Sequence, residues 1–104
     1  MKEITETHEW IEIQDGHAVV GVTDFAQKEL GDIVYVELPK VGKRVKKGEE
    51  VAVLESTKAA ADVYSPADGL ITAVNERLVE SPNLINQSPE REGWILKLQL
   101  SIPQ

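Results

Sequence analysis

The sequence has no cysteine and very few aromatic residues. Its 104 residues include one phenylalanine, two tryptophans and two tyrosines, about 5% of the chain. Without cysteine there are no disulfide bonds, no thiolate catalysis and no zinc site built on thiolates. A core with so few aromatics is built mainly from valine, isoleucine, leucine and alanine. Because β-branched side chains suit a pleated, half-buried surface, this composition favours strands.

The chain also lacks the features that bring proteins to membranes or nucleic acids. No segment approaches the roughly 18 apolar residues of a membrane span. The N-terminal residues 1–6 contain no apolar run typical of a signal peptide. The 11 basic residues are outnumbered by 18 acidic ones, and the net charge of −7 repels phosphate backbones. We therefore expect a soluble, cytoplasmic protein that binds neither nucleic acid nor membrane.

Motifs for conventional catalysis are missing as well. The sequence has no Gly-x-Ser-x-Gly elbow, no P-loop and no dinucleotide-binding glycine motif. Its two imidazoles, His8 and His17, flank a predicted hairpin and do not have metal-ligand spacing. We therefore expect no metal site and no active site of the protein's own.

Short segments separated by glycine and proline indicate a mainly β fold. Asp15-Gly16 lies between two alternating segments, 10–13 and 17–22, which is a strong hairpin signal. Residues 23–31 predict a short helix, capped by Thr23 or Asp24 and followed by Gly31. A helical turn is expected to begin at residue 75, and residues 81–93 are expected to be irregular because of their prolines. The pattern predicts a small barrel or sandwich with little helix, in one domain of residues 1–104.

Lys58 is placed at a hairpin tip by its neighbours. Strands at 51–55 and 61–65 leave a tight connection, in which Thr57 and Ala59 flank the lysine with small side chains. Its amine has a reference pKa of about 10.4, so acylation needs a partner enzyme that deprotonates it and presents an activated acyl group. A flexible arm attached there would raise the effective concentration of its reactive end at successive partners. Position alone favours the interpretation of Lys58 as an ordinary exposed lysine.

The segment Gly48-Glu-Glu-Val-Ala-Val-Leu-Glu-Ser-Thr-Lys-Ala59 resembles the modification loop of lipoyl carrier proteins. Its extension, Asp62-Val-Tyr-Ser-Pro-x-x-Gly69, is similar to the H proteins of the glycine cleavage system. Three further stretches resemble the same family in the same order. They are Thr7-His8-Glu9-Trp10, residues 21–32, and Pro82-Asn-Leu-Ile-Asn86 with Gly93-Trp94. The resemblance covers nearly the whole chain.

The resemblance implies a fold and a chemistry. The fold would be a barrel-sandwich hybrid of two small antiparallel sheets with one or two short helices. Lipoate would be attached covalently to Lys58 by a lipoate–protein ligase or a lipoyl transferase. A pyridoxal-phosphate glycine decarboxylase would load the aminomethyl group of glycine onto the arm. A folate-dependent aminomethyltransferase would unload it, and dihydrolipoamide dehydrogenase would reoxidise the arm. A carrier that visits several enzymes is expected to be a monomer and not itself an enzyme.

The resemblance also implies roles for four carboxyl or hydroxyl residues. Thr7, Glu9 and Asp62 match positions that line the place where the aminomethyl nitrogen is held. A cationic amine is stabilised by carboxylate and hydroxyl acceptors in a partly closed cleft. Glu55 resembles a position read by the lipoylating enzyme. The competing interpretation is that these are ordinary surface groups of an acidic protein.

The chain departs from the family pattern at three places. Glu29 stands where many relatives have a histidine near the cleft, and Ala61 replaces a hydroxyl residue before the aspartate. Family members continue into a C-terminal helical segment after the last strand. Residues 101–104 are too few to form it, so we expect a single domain that lacks this extension.

Four other interpretations compete with a carrier for glycine cleavage. An H-like lipoylated protein serving lipoate relay or another redox system is the main alternative. A biotin carrier is disfavoured because biotinylated lysines usually lie between methionines, and the sole methionine here is Met1. An unmodified binding domain that keeps the fold is a third possibility, and an enzyme with its own turnover is the last.

Overall fold

Two antiparallel sheets frame the computed structural model, which describes residues 2–101. The nine strands are β1 (Lys2–Ile4), β2 (Glu9–Gln14), β3 (His17–Val22), β4 (Ile33–Glu37), β5 (Arg44–Val45), β6 (Glu50–Ser56), β7 (Ala60–Tyr64), β8 (Gly69–Val74) and β9 (Leu96–Leu100). The helices are α1 (Asp24–Leu30), α2 (Arg77–Glu80) and α3 (Leu84–Gln87). The larger sheet has the order β1-β2-β3-β9-β8-β5, and the smaller one the order β4-β6-β7. The mainly β, two-sheet prediction is confirmed.

The β2–β3 hairpin turns at the predicted dipeptide. Gln14 pairs with His17, which leaves Asp15 and Gly16 as the two turn residues. Their φ angles are 54° and 77°. A two-residue turn with both φ angles positive matches the right-handed twist of the strands it connects. Hence the local sequence signal was sufficient to predict this hairpin.

Helix α1 has the predicted caps. The Thr23 side chain accepts a hydrogen bond from the Ala26 N–H at 3.1 Å. At the other end the Gly31 N–H donates to the Gln27 carbonyl at 2.9 Å. Gly31 has φ 86° and ψ −161°, a backbone region that is essentially restricted to glycine. The chain therefore leaves α1 in a direction that no other residue would readily allow.

The core lies between the sheets and is almost entirely aliphatic. Trp10 is its one large aromatic, and only 2% of its surface is exposed. Its ring covers Gly21, the residue paired with it on β3; a Cβ atom there would lie 2.7 Å from Trp10 Nε1. The same Nε1 donates to the Pro89 carbonyl at 3.0 Å. Trp10 is thus buried and has a partner for its polar atom.

Three features differ from the sequence-based expectations or lie outside the structure. Helix α3 occupies part of the expected irregular stretch 81–93, so there are three short helices and not one or two. Proline is compatible with this helix because Pro82 precedes its first turn and Pro89 follows its end. Strand β1 was not predicted. The expectation of a missing C-terminal extension falls on residues 101–104, and 102–104 lie outside the described residues.

Among residues 2–101 there is no helix long and apolar enough to cross a membrane.

Candidate functional site

The turn between β6 and β7 carries Lys58 at its tip. Ser56, the last residue of β6, holds this turn with its side chain. Its Oγ accepts the N–H groups of Lys58 at 3.1 Å and Ala59 at 3.0 Å. The Ser56 N–H also donates to the Ala59 carbonyl at 2.8 Å. A serine hydroxyl that bonds nearby backbone groups stabilises a turn without glycine.

Lys58 is exposed, and its side chain lies against the backbone that follows α1. A Cβ atom at Gly31 would lie 3.2 Å from Lys58 Cε and 3.8 Å from Nζ. The adjacent Thr57 N–H donates to the Asp32 carbonyl at 3.1 Å. Within residues 2–101 the ammonium group has no ion-pair partner. The lysine is therefore accessible to a second protein, although its alkyl stem lies against Gly31.

Glu9 is a buried carboxylate, with 2% of its surface exposed. Its Oε1 accepts hydrogen bonds from the hydroxyls of Thr5 and Thr7, both at 2.5 Å. Its Oε2 accepts the Tyr64 N–H at 3.1 Å. A charged group is retained in a folded interior only when it is hydrogen-bonded in this way. The interpretation of Glu9 as an ordinary surface charge is wrong.

An open cleft of about 180 Å³ lies between α1, β7 and the segment that leads into β2. Its walls are apolar, and carboxylates and a hydroxyl stand among them. The apolar lining comes from Val22, Phe25, Leu30, Leu54 and Val63, and the polar lining from Thr7, Glu9, Glu29 and Asp62. Leu30 immediately precedes Gly31, on which the Lys58 stem lies. A flexible chain attached to Lys58 would begin close to this cleft.

The structure brings Thr7, Glu9 and Asp62 to one cleft, as the resemblance implied, while Glu55 lies elsewhere. Glu55 is exposed on β6, paired with Tyr35 and Ala60 on the outer face of the small sheet. The side chain of Glu55 is three residues before Lys58 and open to solvent. The roles assigned to all four residues stay predictions.

Asp62 also interacts with a second carboxyl group. The pKa of Glu50 is raised above its ordinary value of 4.5, first by a hydrogen bond with Asp62 and then by the Asp62 charge. Like charges held together disfavour ionisation of one of them. Asp62 is therefore shared between the cleft wall and a carboxyl pair at the open end of the β6–β7 hairpin.

Two residues of the motifs that carry the resemblance, His8 and Asn86, had no role assigned from the sequence. His8 has a positive φ of 69°, and its ring lies 4.7 Å from the Phe25 ring at the cleft, centroid to centroid. Asn86 on α3 bonds to the backbone on both sides of Asp32, the residue that supports the Lys58 turn. A lone asparagine between prolines does not predict such a contact, because its partners lie more than fifty residues away in sequence.

Comparison with known proteins assigns the chain to a family. The family model for the glycine cleavage H-protein matches residues 2–104. The glycine cleavage system H protein of Thermotoga maritima is 58% identical over 101 residues, which are 97% of this chain and 82% of that protein. The probable glycine cleavage system H protein of Aeropyrum pernix is 58% identical over 99 residues, 95% of this chain and 69% of that one.

A solved structure agrees with the sequence comparisons. The crystal structure of a glycine cleavage system H protein from Mycobacterium marinum superposes with a TM-score of 0.93 at 38% identity. The match covers 99% of this chain and 86% of that chain. Since the family model, the relatives and the fold agree over almost every residue, this chain belongs to the glycine cleavage H-protein family.

Proposed function

We propose that this chain is the lipoyl carrier of a glycine cleavage system, with lipoate attached through Lys58. The observation that carries the proposal is the placement of Lys58. It is an exposed lysine at a hairpin tip whose turn is held by Ser56, and it has no ion-pair partner among residues 2–101. Its stem lies against Gly31, next to an apolar cleft. Members of this family carry the reacting group and do not catalyse its conversion.

Attachment requires only the Lys58 amine from this chain. The Lys58 ammonium would lose one proton to the partner enzyme before Nζ attacks the acyl carbon of an activated acyl donor. As the C–N bond forms, the bond to the leaving group would break and the leaving group would take its electron pair. Loss of the second proton from nitrogen to the partner enzyme would leave a neutral amide. The small side chains of Thr57 and Ala59 leave room for the ligase around the lysine. When bound, lipoate supplies a disulfide that accepts a one-carbon amine and two electrons.

The cleft has the shape and chemistry to take the end of such an arm. Its volume of about 180 Å³ is below the roughly 300–1,000 Å³ of sites for free small molecules, which suits the end of a tethered chain. The apolar walls would receive the hydrocarbon and sulfur atoms. Glu9 has three donors on its carboxylate, which has about four acceptor positions. It retains capacity for an amine on the cleft side, with Thr7 and Asp62 beside it.

The partners follow from the same proposal. The arm would be loaded by a pyridoxal-phosphate glycine decarboxylase, unloaded by a folate-dependent aminomethyltransferase and reoxidised by dihydrolipoamide dehydrogenase. A lipoate–protein ligase or lipoyl transferase would attach the cofactor, with Glu55 as a residue that it reads. The names of the relatives do not favour the lipoate-relay alternative. A cytoplasmic location and a monomeric state stay predictions from the sequence.

The test is the intact mass of the protein after incubation with lipoate, ATP and a lipoate–protein ligase. We expect one lipoyl adduct on the wild type and none on Lys58→Arg, because arginine keeps the charge but does not form this amide. Lys47→Arg is the matched control: Lys47 is also exposed, just before the other end of β6, and this variant should gain one adduct. An adduct on Lys58→Arg, or none on the wild type, would contradict the proposal and favour an unmodified binding domain.

A second measurement separates glycine cleavage from lipoate relay. The lipoylated, reoxidised protein is incubated with a glycine decarboxylase and glycine labelled at its carboxyl carbon. The release of labelled carbon dioxide is then followed. Labelled carbon dioxide should be released in proportion to the carrier added. Release at the level of a carrier-free sample would indicate that the arm serves another system.

A further inference from the structure

Asn86 is the centre of a hydrogen-bond network behind the Lys58 hairpin. Its Nδ2 donates to Gln27 Oε1 and to the Gly31 carbonyl, both at 2.9 Å. Its Oδ1 accepts the Ile33 N–H at 2.8 Å. One side-chain amide therefore joins helix α3 to the end of α1 and to the first residue of β4. It bonds the chain immediately before and immediately after Asp32.

The segment fixed by Asn86 is the one that supports Lys58. Asp32 offers its carbonyl to the Thr57 N–H. Gly31 lies under the Lys58 stem so closely that a Cβ atom would meet Cε at 3.2 Å. We call residues 31–33 the lysine seat. The hairpin tip is bonded to the seat, and the seat is bonded to Asn86.

We propose that Asn86 is a positioning residue for the modification of Lys58, acting through the lysine seat. The proposal rests on the proposed function, because it concerns the same lysine and the same lipoylating partner. Asn86 does not touch the reacting amine. It holds the backbone against which the hairpin tip and the lysine stem are ordered before the partner arrives.

The side chain at this position needs both donors and an acceptor. Two of its partners, Gln27 Oε1 and the Gly31 carbonyl, are acceptors, and the third, the Ile33 N–H, is a donor. Aspartate keeps the oxygen that accepts the Ile33 N–H. Its second oxygen, however, faces Gln27 Oε1 and the Gly31 carbonyl oxygen, and these repel it. The seat would therefore be pushed away from α3. A loosened tip must be ordered when the ligase binds, and ordering rotamer-rich side chains weakens association. The effect should therefore appear in KM and not in kcat.

The main experiment compares Asn86→Asp with Asn75→Asp. Asn75 is a matched control because its Nδ2 also donates twice, to the Glu92 and Trp94 carbonyls, and its Oδ1 also accepts one N–H, from Arg77. It lies outside the seat. For Asn86→Asp we expect the KM for the ligase to rise about three- to tenfold with kcat nearly unchanged, the range that ordering one side chain implies. Asn75→Asp should leave both constants unchanged when rates are corrected for the folded fraction.

Hydrogen exchange gives a readout that does not depend on the ligase. The Thr57 amide, which is bonded to the Asp32 carbonyl, should exchange faster in Asn86→Asp and at the wild-type rate in Asn75→Asp. Equal effects of the two variants on KM, or an unchanged Thr57 amide in Asn86→Asp, would show that Asn86 only stabilises the fold. A wild type that gains no adduct would instead contradict the proposed function, so the two failures are distinguishable.

A second pair of variants tests the seat if Asn86→Asp does not fold. Gly31→Ala places a methyl group against the Lys58 stem, and Gly42→Ala does not, because nothing lies within 4 Å of its added Cβ. Both glycines have a positive φ, 86° and 95°, so both variants carry backbone strain. A KM increase confined to Gly31→Ala supports the seat. Equal KM values in the two variants would overturn it.

Discussion

The β2–β3 hairpin and the β6–β7 hairpin differ in what holds their turns. In the first, Asp15 and Gly16 both adopt positive φ angles, so the turn follows from the two residues that form it. In the second, no residue from 56 to 59 has a positive φ. That turn depends on the Ser56 hydroxyl and on a backbone bond from Thr57 to Asp32. One turn is specified locally, and the other is supported by the rest of the molecule.

This difference suits what each turn presents to solvent. A glycine at the tip of the β6–β7 hairpin would give the chain more conformational freedom, both in the unfolded state and in the folded protein before a partner binds. Order supplied by a serine side chain and a neighbouring loop keeps Lys58 exposed while its backbone stays fixed. A partner enzyme then meets a tip that is already ordered, which lowers the entropy lost on docking.

The largest effect is expected at Glu9, because this residue joins the hairpins. It begins β2, and its carboxylate accepts the N–H of Tyr64 at the end of β7. In Glu9→Gln an amide donor replaces one acceptor, so either the Tyr64 N–H or the Thr5 and Thr7 hydroxyls lose their acceptor. The free energy of unfolding should fall by about 2–3 kcal/mol, measured by urea denaturation. Glu12→Gln, an exposed site on the same strand, should change it by less than about 0.5 kcal/mol. Equal effects would mean that the Glu9 network does not join the hairpins.

Substitution within the two turns should separate stability from carrier function. Gly16→Ala forces a Cβ into a positive-φ conformation and should reduce stability by about 1 kcal/mol, with no change in the lipoylation of Lys58. Ser56→Ala removes the hydroxyl that accepts hydrogen bonds from the Lys58 and Ala59 amides. It should reduce the free energy of unfolding by less than Gly16→Ala does. It should speed hydrogen exchange of those two amides and raise the KM of the ligase. If Lys58 were lipoylated more slowly in Gly16→Ala than in the wild type at equal folded fraction, the two turns would not differ in their effect on modification.

The same contrast explains which elements the sequence could predict. The Asp15-Gly16 turn and the Thr23 cap are specified by residues close together in the chain, and both were predicted. The Lys58 hairpin was predicted from its two flanking strands, although its turn is also held by Asp32. Strand β1 was not predicted, because Lys2–Ile4 is short and exposed, and it is ordered by pairing along β2 and by the ion pair of Lys2 with Glu90. Helix α3 has four residues and no side-chain cap. Such elements form through tertiary contacts, which local propensity does not report.

The candidate site divides in the same way. Lys58 is identified by its motif and its turn, so the sequence predicted it directly. The burial of Glu9 depends on Thr5 and on Tyr64, and the seat under Lys58 depends on Asn86, more than fifty residues from Gly31 in sequence. Hydrogen bonds between residues so far apart in the chain leave no periodicity or spacing in the sequence by which to recognise them. The sequence therefore predicts what is attached, and the structure adds what holds the attachment point in place.

The smallest effect is expected at the open end of the β6–β7 hairpin, where Glu49 and Glu50 have pKa shifts of opposite sign. The pKa of Glu50 is raised from 4.5 by Asp62, so the stability it contributes is present below 4.5 and is lost as pH rises through the raised pKa. The pKa of Glu49 is lowered, first by a hydrogen bond from the Lys46 backbone and then by Lys43. Its contribution is present above 4.5 and is lost as pH falls through the lowered pKa. With rising pH, Glu50→Gln should therefore gain thermal stability relative to the wild type, and Glu49→Gln should lose it. Melting temperatures measured across the acidic range would show the two difference curves diverging. Curves that run in parallel would mean that Asp62 does not raise the pKa of Glu50.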